Sequence, residues 1–164
     1  MSLLPKQTLY LRISEKHLSI CHVESGKQFG DEPVLALRQQ GEKKSIIAVG
    51  LEARSLGDSL QISLVNGFSH PRTLLADFAV AQKTLCYFIA RVLPHRWFRL
   101  PFTLILHPLE KLDGGLTLIE LRAFHELGKG CGASHVRIWT GSPLSAYELK
   151  AGLFPESLGQ LHPV

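Results

Sequence analysis

Apolar and polar positions alternate at the start of the chain. Leu9-Tyr10-Leu11 and Leu18-Ser19-Ile20-Cys21 flank the polar bend Arg12-Ile13-Ser14-Glu15-Lys16, a pattern that predicts a β-hairpin over Gln7 to Val23. Glu24-Ser25-Gly26-Lys27 reads as a turn, and the apolar run Val34-Leu35-Ala36-Leu37 makes Pro33 to Arg38 a third strand. After the polar excursion Gln39 to Lys44, Ser45 to Val49 returns as a strand, and Gly50 opens a short helical turn through Glu52-Ala53-Arg54. Gln61 to Val65 is extended and ends at the turn dipeptide Asn66-Gly67.

Beyond this point the apolar period lengthens to three and four residues. A long helix is predicted from near Pro71 or Thr73 to just before Pro94, with Thr73 as N-cap and Leu74, Phe78, Ala81, Leu85, Ile89 and Val92 along one face. His95-Arg96-Trp97-Phe98-Arg99 reads as a loop, and Phe102 to Leu106 as a buried strand closed by Pro108. A second helix is expected from Leu116 to Leu127, with Leu116, Ile119, Ala123 and Leu127 inward and Gly128 to Gly132 ending it. His135 to Trp139 is the next strand, and Leu144 to Ala151 a last helix behind Pro143. This order predicts an α/β fold of the ribonuclease H-like kind: one mixed sheet, an antiparallel hairpin extended by parallel strands, with helices on both faces. Residues 1–6 are expected to be an extension, 7–153 the domain and 154–164 a tail.

Composition narrows the class. At 164 residues, 45% hydrophobic and 20% charged, the chain has the make-up of one globular domain. No apolar run is long enough to span a bilayer and Met1 to Lys6 does not open like a signal peptide, so the expected location is cytoplasmic. A net charge of +4 does not by itself indicate nucleic acid. Cys21, Cys86 and Cys131 are odd in number and widely spaced, which predicts buried reduced thiols rather than a disulfide framework.

Several motifs together resemble the bacterial actins of the MreB type. Asp31-Glu32-Pro33, Val34 to Arg38 and Ala48-Val49-Gly50-Leu51-Glu52-Ala53 are similar to that family's asparagine-glutamate-proline strand and alanine-valine-glycine turn. Leu75-Ala76-Asp77-Phe78 resembles its isoleucine-alanine-aspartate-phenylalanine, and Gly130 to Val136, Pro143 and Ala151-Gly152-Leu153 resemble the close of its first large subdomain. The likeness runs from about residue 8 to 154 in the family's order. It implies the first half of an actin-like ATPase, whose second half would supply the rest of an ATP cleft.

The family's first bend is aspartate-leucine-glycine-threonine, in which the aspartate orders metal-bound water and the glycine admits the phosphates. Here those positions are Arg12, Ile13, Ser14 and Glu15. The family's catalytic glutamate would fall just before Pro143, where the chain reads Thr140-Gly141-Ser142. A cation for a carboxylate, a Cβ at the close-approach point and a carboxylate facing phosphate are each adverse to ATP. The resemblance with these departures implies no cofactor and no catalytic residue. The expected function is a non-catalytic scaffold or regulatory partner in the bacterial cytoskeleton, cell-shape or envelope machinery, through a protein partner or self-association. The alternative is one half of a split ATPase or phosphotransferase completed by another chain.

Other constellations weigh less. Eight histidines form no HxxxH spacing and read as ordinary surface or edge residues. Asp77, Glu110, Asp113, Glu120 and Glu126 could furnish a two-metal nuclease, but the first strand offers Arg12 where a carboxylate is needed. Gly114-Gly115 reads as a turn rather than an anion site, and Ser142 has neither a nucleophile elbow nor an evident base. Arg96, Trp97 and Arg99, with Arg91 and His95, mix cations and an aromatic; they are candidate partner-binding residues, with nucleic acid the less favoured partner.

Overall fold

The computed structural model describes residues 5–93 and 100–163. Its main sheet has six strands in the order β3-β2-β1-β7-β8-β9. β1 (Thr8–Ile13) pairs antiparallel with β2 (Leu18–His22), which pairs antiparallel with β3 (Gln28–Asp31). On its other side β1 runs parallel to β7 (Thr103–Pro108), β7 parallel to β8 (His135–Gly141), and β8 antiparallel to β9 (Gly159–His162). The expected hairpin, the parallel extension and the mixed sheet are all present.

A second sheet of three strands, order β5-β4-β6, lies apart from it: β4 (Leu35–Gln40), β5 (Lys43–Val49) and β6 (Ile62–Val65). The single sheet expected from the sequence is therefore two, and the third strand is Gln28–Asp31, not Pro33 to Arg38. β3 escaped detection because Gln28-Phe29-Gly30-Asp31 lies at a sheet edge with every residue at least partly exposed, so it carries no apolar run.

α1 (Gly50–Leu56) follows β5 of the small sheet and is tied by hydrogen bonds to the end of β3 in the main one. The Asp31 carboxylate accepts from the Leu51 N–H at 2.9 Å, filling the cap that Val49 does not supply. Gly50 has φ +67°, and a Cβ there would run into that same carboxylate, so both conformation and space require glycine.

Two layers of core follow from the alternation in β1. Leu9, Leu11 and Ile13 point to the face covered by α2 (Phe78–Val92) and α3 (Leu118–Gly130), where they join Leu85, Phe88, Ile89, Phe124 and Leu127. Tyr10 points to the other face, with Ile105 and Trp139 beneath Leu144 and Leu149 of the α4 region (α4, Ala146–Ala151). Helices thus lie on both faces, as expected. Burying a leucine as fully as Leu11 makes its truncation to alanine cost roughly 2 to 5 kcal/mol.

Other expectations are corrected. α2 begins at Phe78 with Asp77 as its N-cap, not at Thr73. Residues 159–162, expected within a tail, form β9 and complete the sheet. Cys86 of α2 and Cys131 at the end of α3 are paired as a disulfide, with Cα atoms 5.4 Å apart, and Cys21 is free. Forty-five residues separate the pair in sequence, so only the packing of α2 on α3 reveals it. Among the described residues no helix is long and apolar enough to cross a membrane.

Candidate functional site

The registers Ile13↔Pro108 and Leu106↔Ile138 bring the ends of β1, β7 and β8 to one edge of the main sheet. The bend after β1 and the Gly141-Ser142 pair at the end of β8, with Ser14 and Ser142 128 residues apart (142 − 14), therefore meet at the same end, as the sequence reading requires of a nucleotide site. His107 stands between them: it is the register partner of Arg12, and its Nε2 lies 3.0 Å from the Gly141 carbonyl.

That contact fixes the imidazole. A carbonyl can only accept, so Nε2 carries the proton, and the bare Nδ1 accepts from the Tyr10 hydroxyl at 2.6 Å. The Tyr10 oxygen in turn accepts from the Leu144 N–H at 3.2 Å, which ties the last helix to the first strand. Burial pushes the His107 pKa down, and Arg12 pushes the same way against the opposing Gly141 bond; burial pushes that of Tyr10 up. Both groups are neutral at neutral pH and saturated with partners.

The bend is equally self-contained. Ser14 donates its N–H to the His17 carbonyl at 2.9 Å and its hydroxyl to the same oxygen at 2.8 Å, while the His17 N–H donates to Ser14 Oγ at 3.1 Å. The Glu15 N–H donates to Glu110 Oε2 at 2.9 Å. Glu15 itself is held at both ends: Ser69 donates to its carboxylate at 2.7 Å and Asn66 Nδ2 to its carbonyl at 2.8 Å. Three amides of the bend are thus satisfied within the chain: that of Ser14 by a backbone carbonyl, that of His17 by a hydroxyl and that of Glu15 by a carboxylate.

Arg12 points away from the bend, its Nε donating to Ser19 Oγ at 3.2 Å on the face that carries α4. At the other end Gly141 has φ +136°, and a Cβ there would strike the Leu158 carbonyl and Gly159; Ser142 donates its N–H to Leu158 at 2.8 Å and accepts from Trp139 Nε1 at 2.9 Å. No acid stands at either position. A magnesium nucleotide needs a carboxylate for its water and free amides for its phosphates. Arg12 and the Gly141-Ser142 pair supply no carboxylate, and the amides of Ser14, Glu15 and His17 are already bonded.

The acidic residues weighed as a nuclease are dispersed. Asp77 caps α2, Glu120 caps α3, Glu126 pairs with Arg122, and Glu110 holds the bend. Among the described residues no group of three His, Cys, Asp or Glu could hold a metal ion. Arg96, Trp97 and Arg99, with His95, lie outside the described residues. Tyr10, His107 and Ser69 were missed from the sequence, and Glu110 was named only as a nuclease carboxylate: the first two sit inside apolar strand runs, while Ser69 and Glu110 reach the bend from 54 and 95 residues away.

Comparison with known proteins agrees with this architecture. No protein-family model matches the chain. Over 110 residues, 65% of the chain, it is 38% identical to the cell shape-determining protein MreB of Haemophilus influenzae and 36% identical to that of Pasteurella multocida. It spans 30% of the length of each of these curated relatives. Among solved structures, MreB5 of Spiroplasma citri bound to ADP superposes with a TM-score of 0.64 at 19% identity, covering 81% of this chain and 37% of that one. A non-polymerising mutant of MamK bound to AMPPNP gives 0.58 at 12% identity, over 82% of this chain and 41% of that one. The chain is MreB-like in sequence over the matched stretch, and its fold is that of one part of the actin-like proteins.

Proposed function

We propose that this chain is a non-hydrolysing actin-like domain that acts by binding, as a scaffold or regulator of bacterial cytoskeletal, cell-shape or envelope machinery in the cytoplasm. The observation that carries the reading is the bend itself. The amides of Ser14, Glu15 and His17 are spent on the His17 carbonyl, Glu110 and Ser14 Oγ, and the carboxylates of Glu15 and Glu110 stand at the bend where the family's phosphate loop would turn. An incoming phosphate would have to displace Glu110 from the Glu15 N–H and then face the Glu15 carboxylate, a like-charge contact costing about 1 kcal/mol in water and several when desolvated.

The likeness to MreB supports the cellular setting, and the partner follows from it: a filament or monomer of the host's own bacterial actin, or a second copy of this chain. Leu118 and Ile119, more than four-fifths exposed at the start of α3, support association through that end of the molecule. Co-sedimentation with the host's MreB is the direct test, with light scattering for self-association. Binding to filaments or monomers is the expected outcome; none at any salt concentration argues against the scaffold. Titration of ATP and magnesium by calorimetry tests the chemistry separately. Binding tighter than about 10 µM, close to 7 kcal/mol, or ATPase activity recovered with a second chain would establish the split enzyme instead.

A further inference from the structure

A second site lies on the sheet face that α4 only partly covers. A groove of about 560 Å³ runs from the bend along β1, β2 and β3 and beneath α4. That volume suits a small organic ligand. Val23, Leu144 and Leu149 give it an apolar floor and wall, and Arg12, His17 and Lys150 stand around it. Among the described residues no aspartate or glutamate lines it.

Neither Arg12 nor Lys150 forms an ion pair among the described residues. Arg12 donates its Nε to Ser19 and lines the groove, with no carboxylate partner for its guanidinium among the described residues. Its field reaches the thiol of Cys21, one alternate position further along β2: burial raises the thiol pKa, Arg12 opposes that rise and Glu24, outside the groove lining, adds to it. A fork-shaped donor over an apolar floor matches an anionic head joined to an apolar body, because a guanidinium makes its strongest hydrogen bonds to carboxylate-like oxygens.

We infer that this groove binds a small amphiphilic organic anion, its head on Arg12 and Lys150 and its apolar body against Val23, Leu144 and Leu149. The site is independent of the scaffold reading and of any nucleotide.

The full chain is titrated with 8-anilinonaphthalene-1-sulfonate, itself such an anion, and competed with octanoate or with 1-octanol. Octanoate is expected to displace the probe about ten-fold better than 1-octanol, the difference one charge-assisted contact supplies. It should also slow iodoacetamide alkylation of Cys21, which localises the ligand. Arg12→Gln and Lys150→Gln should each weaken octanoate about ten-fold, whereas Arg38→Gln on the second sheet should not. All three residues are exposed, and circular dichroism verifies that each variant folds. Equal competition by octanol, unchanged alkylation of Cys21, or wild-type affinity in both Arg12→Gln and Lys150→Gln overturns the inference.

Discussion

The hydroxyl of Tyr10 serves two elements at once, donating to His107 and accepting from the backbone of Leu144. Tyr10→Phe keeps the ring's volume and strands both partners, so it should cost about 1 to 3 kcal/mol, read as a fall in the urea midpoint. His107 makes the same network sensitive to acid. Its folded pKa lies below the unfolded value of about 6.5, because it is buried and faces the guanidinium of Arg12. The unfolded chain therefore binds more protons below that pH, and stability is full above about 6.5 and declines as pH falls toward the folded pKa. His22 adds to the same slope: buried between Ser25 and Gln7, it too has a lowered pKa, from burial against the pull of Glu24. Thermal midpoints should fall between pH 7 and 5, and His107→Gln should flatten part of that fall.

At the scale of elements, α3 is specified at its start. Thr117 accepts from the Glu120 N–H and Glu120 reaches back to the Thr117 N–H, a capping box, while Thr73 also donates to the Glu120 carboxylate. Thr117→Ala should cost about 1 kcal/mol, measurable by chemical denaturation. That same Thr73 shows where the sequence misleads. A threonine ahead of a helical run reads as its cap, but here it serves a different helix, and Asp77 does the capping four residues later. The phase of α3 was misread for a related reason. Leu116, Ile119, Ala123 and Leu127 keep helical spacing, and so do Leu121, Phe124 and Leu127; the sheet selects the second set and leaves Ile119 82% exposed. Hairpin, parallel strands and long helix were legible because each is a local pattern. Which face turns inward depends on partners far along the chain. The Cys86–Cys131 disulfide belongs to that second class, joining the two helices across 45 residues. Reduction with dithiothreitol should lower stability by about 2 to 4 kcal/mol, and Cys131→Ser should lose the same amount without responding to reductant.

At the scale of the molecule, the candidate nucleotide edge was half legible. Arg12, Ser14, Glu15 and Gly141-Ser142 could be named from motif positions, but not the internal partners that hold the bend, since Glu110 and Ser69 carry no sign of the residue they serve. β9 is the other surprise. It shields the outer edge of β8, and an uncovered strand edge is a template for pairing with other chains. A variant lacking residues 157–164 should therefore aggregate in light scattering where the full chain does not, or reach larger assemblies if the full chain self-associates.

The central pairing of β1 with β7 also sets a timetable. Thr8 is matched to Thr103 and Ile13 to Pro108, so the first strand made cannot find its parallel neighbour until 95 more residues exist. At on the order of 5 to 20 residues per second, a ribosome takes roughly five to twenty seconds over that interval. During it the β1–β2 hairpin holds an open edge, whereas the small sheet of β4, β5 and β6 can close among near neighbours. The newborn chain is thus expected to depend on shelter by chaperones until β7 emerges.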